Sequence, residues 1–225
     1  MIRIFRNTMS DACCGIEAYR RTEIIGGFKT GPREFPWAVR LSPGCARSKC
    51  GGVLVSHRIV LSAYHCGMRQ FDLTTICDHS DGSRRAYFGI YEFKDEEADT
   101  YYSISIIDAI APKHHVPDES LEMHDFIIFI LKTSVTYSIT VRPICLPEQN
   151  EDFYNLIAEV AGWGMFEVNS TMSSVLRKTP VRVVQFPNKH CKMTSTVVTL
   201  NKEGLPQDPC AGDSGLYPNF MRLLF

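Results

Sequence analysis

Short runs of apolar, β-branched and aromatic residues recur along the chain, with turn-forming residues between them. The clearest are Gly52–Ser56, Arg58–Ser62, Tyr101–Ile107, Phe126–Leu131, Val181–Phe186 and Thr196–Leu200. Runs of this length, punctuated in this way, predict strands, and a chain made of them predicts an all-β sandwich or barrel. No run approaches the length of a membrane-crossing helix.

Composition narrows the picture. The chain has 225 residues, 44% hydrophobic and 22% charged, which is enough apolar material for a substantial core. All-β chains of this size often form one domain. Lys and Arg number 24 against 25 Asp and Glu. A net charge of −1 gives no electrostatic case for nucleic acid or an anionic membrane as partner. Nine cysteines point to an oxidising compartment, and the odd count leaves at least one thiol unpaired. The stretch Met1 to Asn7 carries basic residues but no apolar core, so it is not read as a signal peptide.

The densest chemistry lies in Cys210-Ala211-Gly212-Asp213-Ser214-Gly215. Gly-Asp-Ser-Gly sets a serine on a tight turn, and a serine becomes a nucleophile only beside a positioned base. A histidine, His65, closes the run Leu61-Ser62-Ala63-Tyr64-His65-Cys66. A carboxylate, Asp125, opens the apolar run Phe126-Ile127-Ile128-Phe129-Ile130-Leu131. The chain order His, Asp, Ser matches the chymotrypsin type of triad and neither the subtilisin nor the α/β-hydrolase order.

Four ordered segments resemble the chymotrypsin/trypsin family of serine proteases, the S1-type peptidase domain. Ile24-Ile25-Gly26-Gly27 is similar to the mature end created by zymogen cleavage. Cys50-Gly51-Gly52 through His65-Cys66 resembles the strand pair that delivers the catalytic histidine. Ala161-Gly162-Trp163-Gly164 resembles the Gly-Trp-Gly turn, and Asp208 through Gly215 the serine segment. The resemblance implies two antiparallel six-stranded barrels with the active site in the cleft between them. It also implies a propeptide-like segment over residues 1–23 and a protease domain over residues 24–225.

By the same resemblance Ser214 is the nucleophile, His65 the general base and then acid, and Asp125 the group that orients the imidazole. The N–H groups of Gly212 and Ser214 would form the oxyanion hole. Asp213 would pair with the α-ammonium of Ile24 after cleavage. Glu23 precedes Ile24, however, and a cut after Arg21 would leave Thr22 at the new end, so a different activator or further trimming is expected. Asp208, six residues before Ser214, falls where trypsin-like members carry the acid that recognises Arg or Lys. Its alternative is a plain Gln-Asp-Pro turn, and the specificity role is preferred.

The resemblance pairs Cys50 with Cys66, and Cys145 with Cys14 or Cys13. Cys45 and Cys77 form a further candidate pair, and Cys191 and Cys210 are left without their usual partners. The acidic stretch from Glu92 to Asp99 lies near a loop that sometimes binds calcium in the family, but it is read as a solvated loop. His114-His115 is read as surface, and no cofactor or metal is implied. Asn169-Ser170-Thr171 is a glycosylation sequon. The implied partners are protein or peptide substrates and protein protease inhibitors, for a monomeric, secreted enzyme.

The family continues Gly-Asp-Ser-Gly into Gly-Pro, further strands and a final helix. Here the sequence runs Leu216 to Phe225, so the domain is expected to be truncated, with an incomplete second barrel and unfinished pocket walls. Little turnover is expected of the isolated 225 residues, and Arg/Lys-directed proteolysis of a longer parent. The alternatives are a catalytically inactive homologue, acting as a binding decoy or regulatory isoform, and a gene-model fragment without activity of its own.

Overall fold

The computed structural model describes residues 2–4, 28–42, 50–69, 72–76, 84–94, 101–111, 126–147, 152–164, 173–183 and 197–199. Among these the chain is all-β. The strands are β1 (Ile2–Ile4), β2 (Phe28–Lys29), β3 (Ala38–Leu41), β4 (Cys50–Ser56), β5 (Ile59–Ser62), β6 (Met68–Arg69) and β7 (Asp72–Ile76). They continue with β8 (Arg85–Phe88), β9 (Ser103–Ile110), β10 (Ile127–Leu131), β11 (Ile157–Gly162), β12 (Arg177–Val183) and β13 (Val197–Thr199). One 3-10 helix, η1 (Tyr64–Gly67), follows β5.

Six strands close an antiparallel barrel in the order β10-β5-β4-β3-β8-β9. Alternation fills it: Ile127, Phe129 and Leu131 of β10 point inward with Val39, Leu54, Val60, Phe88 and Ile106. The predicted strand at Phe126–Leu131 is present as β10, but Phe126 is exposed just outside it. The one predicted from Gly52 starts two residues earlier, at Cys50. His57 and Arg58 form the turn between β4 and β5 rather than strand. The Arg58 guanidinium donates to the Leu131 carbonyl through Nε at 3.0 Å and through an Nη at 2.9 Å, which holds the turn to the end of β10.

A five-stranded sheet stands beside the barrel, in the order β1-β11-β12-β13 with β2 also pairing β12. A second apolar cluster joins the two. Ala38, Val53 and Tyr87, on the outward positions of barrel strands, pack with Ala161, Trp163 and Leu176 of the sheet side. This double coverage leaves β3 buried on both faces. Arg40 points to the outer one, with its guanidinium 4.4 Å from the Phe93 ring centre and 5.8 Å from that of Trp163. In the acidic stretch, Glu92 and Lys94 are exposed while Phe93 between them is buried in this cluster.

Arg84 enters the barrel core just ahead of β8. Its guanidinium stands 4.8 Å from the centre of the Phe129 ring, and none of its nitrogens has a hydrogen-bond acceptor among the described residues. Burial lowers its pKa to about 10. A buried cation without an acceptor costs more than the ring returns. Arg84→Met is therefore expected to stabilise the fold by about 1–2 kcal/mol at neutral pH. Because the folded value lies below the unfolded one, the arginine's penalty is relieved as pH rises above 10. The stability gap between variant and wild type should narrow over that interval, as read from denaturant midpoints at neutral and alkaline pH.

Candidate active site

His65 lies on η1, and the chain around it is fixed by several independent contacts. The strand β5 ends at Ser62, whose hydroxyl donates to the Gly51 carbonyl at 2.8 Å across the β4–β5 ladder. Ala63 and Cys66 are buried in the barrel core on either side of the histidine, and Tyr64 is buried as well. The Cys66 amide donates to the Ala63 carbonyl at 3.0 Å, which closes the turn over His65. A disulfide between Cys50 and Cys66, 6.0 Å apart at Cα, ties that turn back to the start of β4. With a sequence separation of 16, the bridge removes loop-closure entropy equivalent to about 3 kcal/mol.

Two glycines let these elements approach. A Cβ on Gly67 would sit 2.3 Å from Ile127 Cδ1, so η1 packs directly on the first inward residue of β10. A Cβ on Gly52 would lie 2.8 Å from Val60 Cγ1 and 2.9 Å from the Leu61 carbonyl oxygen. The tip of an isoleucine can rotate away, whereas a ladder carbonyl can move only with its strand. Gly52→Ala is expected to cost about 1–3 kcal/mol through overpacking, visible as a lowered unfolding midpoint.

The pairing of β10 with β5 sets Ile127 opposite Ser62, so the start of β10 lies at the end of β5 where η1 begins. Phe126 is the first described residue ahead of β10, and Asp125 immediately before it lies outside the described residues. Ser214, Gly212, Asp213, Asp208 and Ile24 also lie outside them. For His65 the backbone is described and the side chain is not. The structure thus brings the histidine turn and the entrance to β10 to one end of one strand pair, and the remaining candidate residues stand on their sequence motifs.

The segment that follows Ile24 is strapped to the second sheet. Phe28 and Lys29 pair with Lys178 and Arg177 of β12. The Thr30 amide and hydroxyl donate to the Leu176 carbonyl at 2.9 and 3.1 Å. Beyond them, the Lys178 ammonium donates to the Glu34 carboxylate and, at 2.9 Å, to Glu159 of β11. The second oxygen of Glu34 accepts the Gly31 amide at 2.7 Å. Burial works against the Lys178 charge, but the hydrogen bonds and charges of Glu34 and Glu159 together outweigh it and raise its pKa. The sequence reading missed this cluster, since no local motif links residues 144 positions apart.

The Gly-Trp-Gly turn follows β11, with Trp163 buried against the barrel's outer face. Cys145 is disulfide-bonded. Its segment is seated on the barrel by the Ile144 amide donating to the Leu54 carbonyl at 2.9 Å. The partner expected for it, Cys14 or Cys13, lies outside the described residues, as do Cys45, Cys77, Cys191 and Cys210, the His114-His115 pair and the sequon at Asn169.

Residues 24–215 match the Trypsin family. The proclotting enzyme of Tachypleus tridentatus is 27% identical, over 90% of this chain and 56% of its own length. The Spaetzle-processing enzyme of Drosophila melanogaster is 30% identical, over 92% of this chain and 56% of its own. The chain thus spans about half the length of these curated relatives. Among solved structures, human heparin binding protein superposes with a TM-score of 0.60 at 23% identity, covering 80% of this chain and 73% of that one. At that identity the likeness concerns the fold alone.

Proposed function

The chain belongs to the trypsin family of serine proteases, and on that footing we propose that it is a secreted endopeptidase acting after Arg or Lys by a His65/Asp125/Ser214 triad. Ser214 Oγ attacks the scissile carbonyl while His65 takes its proton, and Asp125 holds the imidazole in the required tautomer. The oxyanion is met by the N–H groups of Gly212 and Ser214, each donor worth roughly 3–4 kcal/mol of transition-state stabilisation. His65 then protonates the leaving amine, and water repeats the attack on the acyl-enzyme. Asp208 selects the basic side chain by a charge-assisted hydrogen bond. The α-ammonium of Ile24, paired with Asp213, forms the oxyanion hole once the chain is cut before Ile24.

The observation that carries this reading is the clamp on the His65 turn. The disulfide, the Ser62 hydroxyl and the packing of Ile127 on Gly67 hold one short helix at the mouth of a closed barrel. Preorganisation of this kind is what a general base requires. The Cys50–Cys66 disulfide also supports export to an oxidising compartment.

One relative, the Spaetzle-processing enzyme, is called after processing, which supports limited proteolysis of a protein precursor as the role. The test, on the activated protein at its full natural length, is covalent labelling by a serine-directed phosphonate, with hydrolysis of Arg and Phe esters alongside. Labelling at Ser214 with preference for the Arg ester is the expected result. A protein with Ile24 verified as its new end that neither labels nor hydrolyses is an inactive homologue instead.

A further inference from the structure

A groove of about 570 Å³ lies between the end of β8 with the turn after it, the two residues ahead of β9, and the chain beyond β10. The strand β10 starts beside the His65 turn at Ile127 and ends at Leu131, opposite Ile106 of β9. Five residues of strand span about 17 Å, so the groove stands at the other end of the barrel from His65. Tyr91, Tyr101 and Tyr102 line it with Ser138 and Thr140, and among the described residues that line it Glu92 alone is charged. The backbone carrying Glu92 is fixed. The Leu176 amide donates to the Tyr91 carbonyl and the Phe93 amide to the Ser174 carbonyl, both at 2.8 Å, and Glu92 bridges Val175 between them. Phe93 is buried, while Glu92 is exposed and makes no ion pair among the described residues. Two of the rings are fixed as well. The Thr136 amide donates to the Tyr102 hydroxyl at 3.3 Å, and the Tyr102 ring rests on Phe88 with 5.7 Å between centres. The Lys94 amide donates to the Tyr101 hydroxyl at 3.2 Å, and the Tyr101 ring stacks on Phe93 with 5.0 Å between centres.

We propose that this groove is a docking site for a lysine or arginine side chain presented by a protein partner. The Glu92 carboxylate supplies the opposite charge, and tyrosine rings attract a cation held within about 6 Å of their centres. The rings are in place before the partner arrives, so little loose structure has to be ordered on binding. One carboxylate among aromatic rings suits an organic cation, whereas a hard metal ion such as calcium takes about six to eight oxygens. The groove involves neither His65 nor Ser214, so it stands apart from the catalytic reading.

The test uses the protein at its full natural length carrying Asp208→Asn, so that the acid proposed to select Arg or Lys in the active site does not compete. Dye-labelled trilysine, followed by fluorescence anisotropy, should bind, and trilysine with its side chains acetylated should not. Adding Glu92→Gln should weaken binding about tenfold or more, and Tyr102→Leu, which changes no charge, about three- to tenfold. Asp108→Asn removes an exposed charge about 20 Å along β9 from Tyr102, and should change binding less than about twofold. Equal losses in Glu92→Gln and Asp108→Asn would mean unspecific attraction and overturn the site, as would unchanged binding in either groove variant. A neutral oligosaccharide that binds through Glu92 and Tyr102 where trilysine does not would overturn it in favour of a sugar site. Glu92 is exposed, so Glu92→Gln decides by itself if Tyr102→Leu fails to fold.

Discussion

Replacing His65 by alanine in the activated protein at its full natural length is expected to lower kcat by roughly 10⁴- to 10⁶-fold while leaving the fold in place. The imidazole is the only proposed acceptor for the Ser214 proton, so without it the serine stays a neutral alcohol. The frame of the turn does not depend on that side chain. It rests on the buried Ala63 and Cys66, the disulfide to Cys50 and the Ser62–Gly51 hydrogen bond. Ser214→Ala should lose a similar factor, and the double variant little more than either, because the two groups act as a unit. Asp125→Asn should cost about 10⁴-fold, since it holds the wrong tautomer in an intact geometry. Kinetics on an Arg ester, with thermal unfolding on the same samples, separates lost chemistry from lost structure. Single losses that multiply in the double variant would break the triad assignment.

Lys178→Met is expected to destabilise the fold by about 3–5 kcal/mol, lowering the melting temperature by roughly 10 °C. Glu34 is 2% exposed and Glu159 12%, and both carboxylates lean on the one ammonium. Removing the ammonium withdraws the cation that both carboxylates share, with little water at Glu34 to replace it. The loss should be largely undone in Glu34→Gln/Lys178→Met/Glu159→Gln, because a glutamine at 34 can still accept the Gly31 amide. The sign with pH follows from the raised Lys178 pKa. Its contribution is whole below the unfolded lysine value near 10.4 and is lost as pH rises through the folded one. The difference between wild type and Lys178→Met should therefore be flat around neutrality and shrink in strong alkali. The damage should concentrate where the strap after Ile24 meets β12, and hydrogen exchange at Thr30 and Leu176 would show it first.

Much of this protein is legible residue by residue. Short runs of apolar, β-branched and aromatic residues between turn formers mark strands locally, which is why β5, β9 and β10 lie within two or three residues of their predicted runs. A triad, an activation end and a Gly-Trp-Gly turn are local motifs, so their candidates were readable without a fold. The prediction for β12 was poorer. The strand begins at Arg177, not Val181, and carries Pro180 opposite Glu159. Proline is a strand-breaking signal when read locally, yet the pairing of β12 on either side of it keeps it in the ladder.

The features that arise only on folding share one physical cause. Residue type and local pattern alone set which positions prefer burial, which side chains can react, and the all-β class that follows from short apolar runs between turn formers. They did not set the second face of β3, the placement of Arg40 against Phe93 and Trp163, the Glu34–Lys178–Glu159 cluster, or the seat of Ile2–Ile4 on β11. Each of these joins groups from distant parts of the chain, where burial removes water and leaves a charge or a strand edge to find its partner inside the protein. Local pattern records how a residue meets solvent, and only packing records which residue replaces the solvent.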